Sequence, residues 1–155
     1  MIWKDSLTTA AAMINASSLA LLNSGSVYMR GVVSAVAIGR LLDGTLVIDP
    51  DEEDEKVLGG GGCFAFMFID GGGEGVDKAN SDCVWSSWKS VVGGYDENEL
   101  FSAREMARVS ALDVYFAMKK SIDALCSRDD IPLPPSLNKV ETMVEDDSDD
   151  DRMEI

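Results

Sequence analysis

The carboxylates of "DPDEEDE" (49–55) are the densest set of chemically capable side chains in this sequence, and four consecutive glycines follow them at 59–62. Oxygen ligands at that density could hold Ca²⁺ or Mg²⁺, but the segment lacks the alternating acid-x-acid spacing and the closing Glu of a calcium-binding loop. It reads as a solvated acidic loop. A glycine run can cradle phosphate when it leads into a helix N-terminus. Here the runs at 59–62 and 71–75 both lead toward strands, so the first is expected to be a flexible joint and the second a turn.

The sequence contains no His, which excludes His-based triads, His general bases and most zinc sites. Cys63, Cys83 and Cys126 are odd in number, widely separated and without C-x-x-C spacing, the usage expected of buried free thiols in an intracellular protein. Trp85 and Trp88 differ by three positions on a strand-like stretch and so point to opposite faces, one toward a core and one outward. A half-exposed Trp is often an interface anchor, and a second core Trp is the competing reading.

Asp5 or Ser6 can cap a helix and Gly25 can end it, which places a helix over about 6–24. That helix is made almost wholly of small and apolar residues, with Asn15, Ser17 and Ser18 spread among them, so both of its sides should be covered. Val32 to Leu41 is rich in β-branched residues, Asp43-Gly44 is a tight-turn pair, and Thr45 to Ile48 returns until Pro50 stops it. Two more strands are expected at "CFAFMFID" and "DCVWSSWKSVV". Beyond "GGYDENE", the residues Leu100, Ala103, Ala107, Ala111, Val114, Met118, Ile122 and Leu125 form a continuous apolar stripe on a helix over about 97–127. "IPLPP" (131–135) prevents further helix. The expected fold class is α+β, two-layer: helix, four-stranded mostly antiparallel sheet with both helices on one face, helix, then a disordered acidic tail.

The 155 residues with 46% hydrophobic content suit one domain. There are 28 acids against 13 bases, a net charge of −15, which disfavours non-specific attraction to nucleic acid or anionic membrane. Seven of those negative charges come from residues 141–155, which hold eight acids and one Arg. The N-terminal "MIWKDSLTT" is a poor signal peptide, and no run approaches the ~18 apolar residues of a membrane span. These residues alone describe an intracellular α+β interaction module.

The stretch "INASSLALLNSGSVYMRGVVSAVAIGRLLDGTLVIDPDEEDE" resembles the second half of the ribonuclease PH family. "VWSSWKSVVGGYDENELFSAREMARVSALDVYFAMKKSI" is similar to the ending of the non-catalytic ring subunits of the eukaryotic RNA exosome, most closely those of a ribosomal-RNA-processing type. The likeness runs over about residues 10–125. It implies a partial ribonuclease PH-like domain at 1–130, lacking the first half that carries the Arg-bearing phosphate and RNA segments, and a linker and tail at 131–155. In that family the first half buries the opening helix, so here the helix is expected to lie partly bare.

The resemblance also implies that phosphorolytic members hold two carboxylates around the acidic loop, acting on a metal or on the RNA phosphate. Aligned to that loop, Glu55 takes the first carboxylate position and Gly61 the second, so the pair is degenerate. What the resemblance implies is a non-catalytic scaffold subunit of the exosome core ring, supporting 3′-to-5′ RNA processing and degradation by associated nucleases. No catalytic, cofactor-binding or metal-binding residues are expected, and no cofactor. The expected partners are other ring and cap subunits in a hetero-oligomer, with RNA met indirectly in the assembled complex and no membrane contact. The expected location is nucleus, nucleolus and cytoplasm. A phosphate-dependent 3′-to-5′ exoribonuclease and an acidic interaction module unrelated to RNA are the alternatives.

Overall fold

The computed structural model describes residues 7–69 and 80–126. Helix α1 (Leu7–Ser24) is followed by strands β1 (Val32–Leu41) and β2 (Leu46–Ile48), a single 3-10 turn (Asp54–Val57), strands β3 (Leu58–Ile69) and β4 (Asn80–Ser90), and helix α2 (Glu97–Cys126). All three strand pairings are antiparallel, in the order β2-β1-β3-β4.

Local chemistry accounts for the boundaries. Gly25 takes a left-handed φ of 62° and its N–H donates to the Leu22 carbonyl, which ends α1. At the hairpin tip Gly44 takes φ 90°, the Asp43 side chain accepts the Thr45 N–H at 2.9 Å, and the Leu41 N–H meets the Thr45 carbonyl at 2.9 Å. The start of α2 is capped by Asp96, whose Oδ1 accepts the Glu99 N–H at 2.7 Å. The proposed caps Asp5 and Ser6, the turn at 71–75 and the tail lie outside the described residues.

The two faces of the sheet carry different side chains. On one, Val36, Ile38, Phe64, Phe66 and Phe68 pack against Ala103, Ala107, Ala111 and Tyr115 of α2. On the other, Ala35, Ala37, Cys63 and Ala65 pack against Ala11, with Leu7, Ala10 and Ile14 of α1 beside them. The element order, the α+β class and the antiparallel sheet are as expected, and each helix makes a two-layer contact with the sheet. The helices do not share a face, however: α1 and α2 cover opposite sides. The alternation within "SAVAI" separates small residues from large ones, and each set takes its own helix.

The phenylalanine face dominates the stability. Phe64, Phe66, Phe68, Ile38 and Val36 are all below 2% or at 2% exposure, and full burial of each such side chain is worth roughly 1.5–3 kcal/mol. The alanines of α2, at four-residue spacing and 0% exposed, let the helix backbone come down onto that face. Ser34 adds a polar stitch by donating to the Ala111 carbonyl at 2.7 Å. Tyr115 stacks on Phe68 at 5.1 Å and belongs to this core, whereas Leu125, part of the expected stripe, is 46% exposed.

The glycine run is a second departure. Residues 59–62 are not a flexible joint but lie at the start of β3, and Gly60, Gly61 and Gly62 pair on both sides: Gly62 with Ile38 and Trp88, Gly61 with Gly39 and Lys89, Gly60 with Arg40 and Ser90. The reason is space. A Cβ at Gly62 would stand 1.9 Å from the Ser87 carbonyl oxygen, and one at Gly60 2.8 Å from the Lys89 carbonyl oxygen. Of the cysteines, Cys63 is buried as expected, Cys83 is only half-buried on β4, and the side chain of Cys126 is not among those described.

Candidate functional site

The acidic loop lies between β2 and β3, and the carboxylate of Asp51 holds the loop's own backbone. Asp51 Oδ1 accepts the N–H groups of Glu53 (2.8 Å) and Asp54 (2.9 Å), and the Glu55 N–H donates to the Asp51 carbonyl at 2.9 Å. Asp49, whose φ is 47°, donates its N–H to the Ala37 carbonyl at 2.9 Å. No group of three or more acidic, Cys or His side chains stands where it could hold a metal ion among the described residues.

Glu55 and Gly61, the two positions at which the family resemblance implies carboxylates, have different environments. Glu55 is exposed on the 3-10 turn, whereas Gly61 is buried in β3. A Cβ at Gly61 would lie 2.7 Å from Leu7 Cδ1 and 2.8 Å from the Ile38 carbonyl oxygen. The space that an acidic side chain would need there is occupied by α1 and by β1.

Of the basic residues described, Arg30, Lys56, Lys89, Arg104, Lys119 and Lys120 are exposed. Arg108 on α2 donates through Nε to Glu105 at 3.1 Å, and its side chain is 42% exposed. The one buried cation among the described residues is Arg40, which the sequence reading passed over. Its guanidinium donates to both carboxylate oxygens of Glu99 (3.2 and 3.1 Å), to the Gly94 carbonyl (3.1 Å), to Ser90 Oγ (3.2 Å) and to the Val92 carbonyl. It ties the end of β1 to the β4–α2 loop and to the first turn of α2. The signal available in the sequence was an arginine inside an otherwise apolar strand, "AVAIGRL".

The remaining feature is the outer side of α1. Its inner side meets the sheet, while Met13 is 66% and Leu21 43% exposed, and Ala12, Ala16 and Ala20 are exposed beside them. The expectation of a partly bare helix is met. At the far end of α1, Leu22 joins Val32, Tyr115, Lys119, Ile122 and Asp123 around an open cavity of about 200 Å³. Among the described residues no helix is long and apolar enough to cross a membrane. Trp85 and Trp88 point to opposite faces as expected: Trp88 lies 5.9 Å from Phe64, and Trp85 is 45% exposed.

Comparison with known proteins gives two likenesses. Over 111 residues the chain is 32% identical to the exosome complex component Rrp41 of Archaeoglobus fulgidus, a match covering 72% of this chain and 38% of that protein. The crystal structure of rice (Oryza sativa) Rrp46 superposes with a TM-score of 0.53 at 21% identity, covering 71% of this chain and 46% of that one, a likeness of fold. The chain therefore spans less than half the length of either. No family model matches it. The resemblance to the second half of the ribonuclease PH-like exosome ring subunits thus holds in sequence against the archaeal protein and in fold against the rice structure.

Proposed function

We propose, from this likeness to ribonuclease PH-like exosome ring subunits, that the protein is a non-catalytic scaffold element of an RNA exosome ring. It supports 3′-to-5′ RNA processing and turnover, including that of ribosomal RNA, by nucleases bound elsewhere in the complex. The observation that carries the reading is Gly61. At the position of the family's second carboxylate it has no side chain, and Leu7 and the Ile38 carbonyl fill the space one would need. Glu55 is left without its counterpart on an exposed turn. The net charge of −15 suits a subunit that meets RNA only through its neighbours.

The bare side of α1 fits the same reading, because exposed Met13 and Leu21 on a helix rich in small residues are the surface of an element that is covered on assembly. The partners are other ring and cap subunits, and the location is that of the exosome in nucleus, nucleolus and cytoplasm. Two experiments test the proposal. Tagged chain expressed in a eukaryotic cell should co-purify with ring subunits, and purified chain should leave single-stranded RNA unshortened with or without phosphate and Mg²⁺. RNA decay that disappears in Glu55→Gln would overturn the non-catalytic reading, and an absence of ring subunits from the capture would overturn the scaffold reading.

A further inference from the structure

Where the sheet ends beside the acidic loop, three neighbouring strands leave apolar residues in a row. The antiparallel order β2-β1-β3-β4 brings the end of β1, the start of β3 and the end of β4 together, and Leu42, Val57 and Val91 are the residues just beyond those strands. Backbone hydrogen bonds hold the row. Leu42 donates its N–H to the Val57 carbonyl at 3.0 Å, and Val91 and Val92 both donate to the Gly59 carbonyl, at 2.9 and 3.0 Å. A Cβ on Gly59 would lie 3.4 Å from Leu42 Cδ2, so the leucine and the two valines surround that one glycine. All four residues are between 45% and 62% exposed, an apolar surface that forgoes its burial in the free chain. Its rim is acidic. Asp43 follows Leu42, Glu53 and Glu55 precede Val57, and Asp96 and Glu97 follow Val92, all exposed, against Lys56 and Lys89.

We propose that this row docks a basic, apolar peptide segment of another protein. Aliphatic side chains of the segment cover Leu42, Val57, Val91 and Val92, and Lys or Arg on either side of them meet the acids of the rim. An apolar centre within a polar rim is the anatomy of a specific interface, and the sign of the rim selects the partner. That sign excludes the nearest competitors. The chain's own residues 141–155 hold eight acids and one Arg, and a second copy brings a net charge of −15, so both are repelled. RNA would set its phosphates against the same carboxylates. The segment can be short, because three strand ends about 4.8 Å apart span roughly 10 Å, the reach of three or four extended residues. The row is separate from the bare side of α1, and the proposal does not use the exosome reading: peptide binding can succeed where capture of ring subunits fails, and the reverse.

Fluorescence anisotropy tests this with the full chain and a labelled peptide of alternating valine and leucine carrying a pair of arginines at each end. The peptide should bind, and more weakly as salt is raised. A peptide with glutamate in place of every arginine, and one with serine in place of every valine and leucine, should not bind. Leu42→Ser and Val91→Ser should each weaken binding roughly tenfold, since each removes one covered side chain. Glu53→Lys and Glu97→Lys should each weaken it about threefold and flatten the salt dependence. These four residues make no side-chain hydrogen bond that the fold needs, and unchanged thermal melts should show the variants folded. Met13→Ser on α1 and Val109→Ser on α2, both exposed elsewhere, should leave binding as it is. Failure of the arginine peptide to bind, equal binding of the glutamate peptide, loss of binding in Met13→Ser instead of Leu42→Ser, or displacement of the peptide by single-stranded RNA would each overturn the proposal.

Discussion

The side-chain amide of Asn15 forms a closed pair of hydrogen bonds with the backbone of Ala35: its Nδ2 donates to the Ala35 carbonyl and its Oδ1 accepts the Ala35 N–H, both at 2.8 Å. Strand β2 pairs with β1 only from Ile38 to Arg40, so at Ala35 the amide of Asn15 takes the place of a neighbouring strand. Together with the packing of Leu7, Ala10, Ala11 and Ile14, it pins α1 to the sheet.

Replacing Asn15 by Leu should therefore cost about 2 kcal/mol, because a backbone donor and acceptor lose their partners together. Asn15→Asp keeps the acceptor and loses the donor, and should fall between Leu and wild type. Urea unfolding midpoints compared with exposed Asn23→Ala, which should be near neutral, check the expectation.

Arg40→Met should be more damaging, by about 3 kcal/mol, since Glu99 and the carbonyls of Val92 and Gly94 are left without the charge they surround. The side chains of Arg40 and Glu99 are only 10% and 22% exposed, so salt should screen the pair little. Thermal melts of wild type and variant at low and high salt should differ by a constant amount. A difference that vanishes in high salt would show the pair to be a surface contact.

Three glycines of one run should respond differently to alanine. At Gly62 the new Cβ meets the Ser87 carbonyl oxygen at 1.9 Å and Trp88 Cε3 at 2.8 Å, which should cost about 3 kcal/mol or more by forcing β3 from β4. At Gly61 the obstacle includes the Leu7 side chain, so Leu7→Ala should relieve part of the loss. At Gly59 the nearest atoms are at 3.4 Å, and the change should be close to neutral. Equal tolerance at all three would mean that the run is a loose joint after all.

The Cys63 thiol is pushed up to about 11 by burial, and to a lesser degree by the charge of Asp49, from an ordinary value of 9.0. A raised thiol pKa means that the folded state resists ionisation more than the unfolded state does. Its contribution is thus intact below the unfolded value and is lost as the pH rises through 9 toward 11. Stability should fall over that window, and less so in Cys63→Ala. In a Cys126→Ser background, a disulfide exchange reagent at pH 8 should modify half-buried Cys83 first and Cys63 only as fast as the chain opens.

What could be read from the sequence was whatever local chemistry determines. Gly25 and Asp43-Gly44 mark the end of α1 and the hairpin because a left-handed residue or a side-chain-capped turn needs no distant partner. The long stripe on α2 was legible for the same reason, apart from Tyr115, whose place depends on Phe68 across the sheet. The glycine run was illegible because a glycine kept for freedom and one kept for crowding look alike, and the crowding atoms belong to Leu7, Ser87 and Trp88. Arg40 was hidden likewise, since its acceptors lie fifty and more positions away. The sides taken by the helices were legible in principle: Ala35, Ala37, Cys63 and Ala65 against Val36, Ile38, Phe64 and Phe66 is a division by size. As for the degenerate carboxylate site, the missing side chain at Gly61 is plain in the letters, but its burial beneath Leu7 is not.

The opposed placement of the helices sets an order on synthesis. By the time Ala65 has left the ribosome, every residue of the alanine-rich cluster beneath α1 has emerged, and α1 can close over it. The phenylalanine face has to wait for Ala103, Ala107 and Ala111 near the other end of the chain. At translation speeds of ~5–20 residues per second, Phe64, Phe66 and Phe68 stay uncovered for a time on the order of seconds. The nascent protein thus passes through a half-built state, closed on one side and sticky on the other, and it is in that interval that a chaperone would find it.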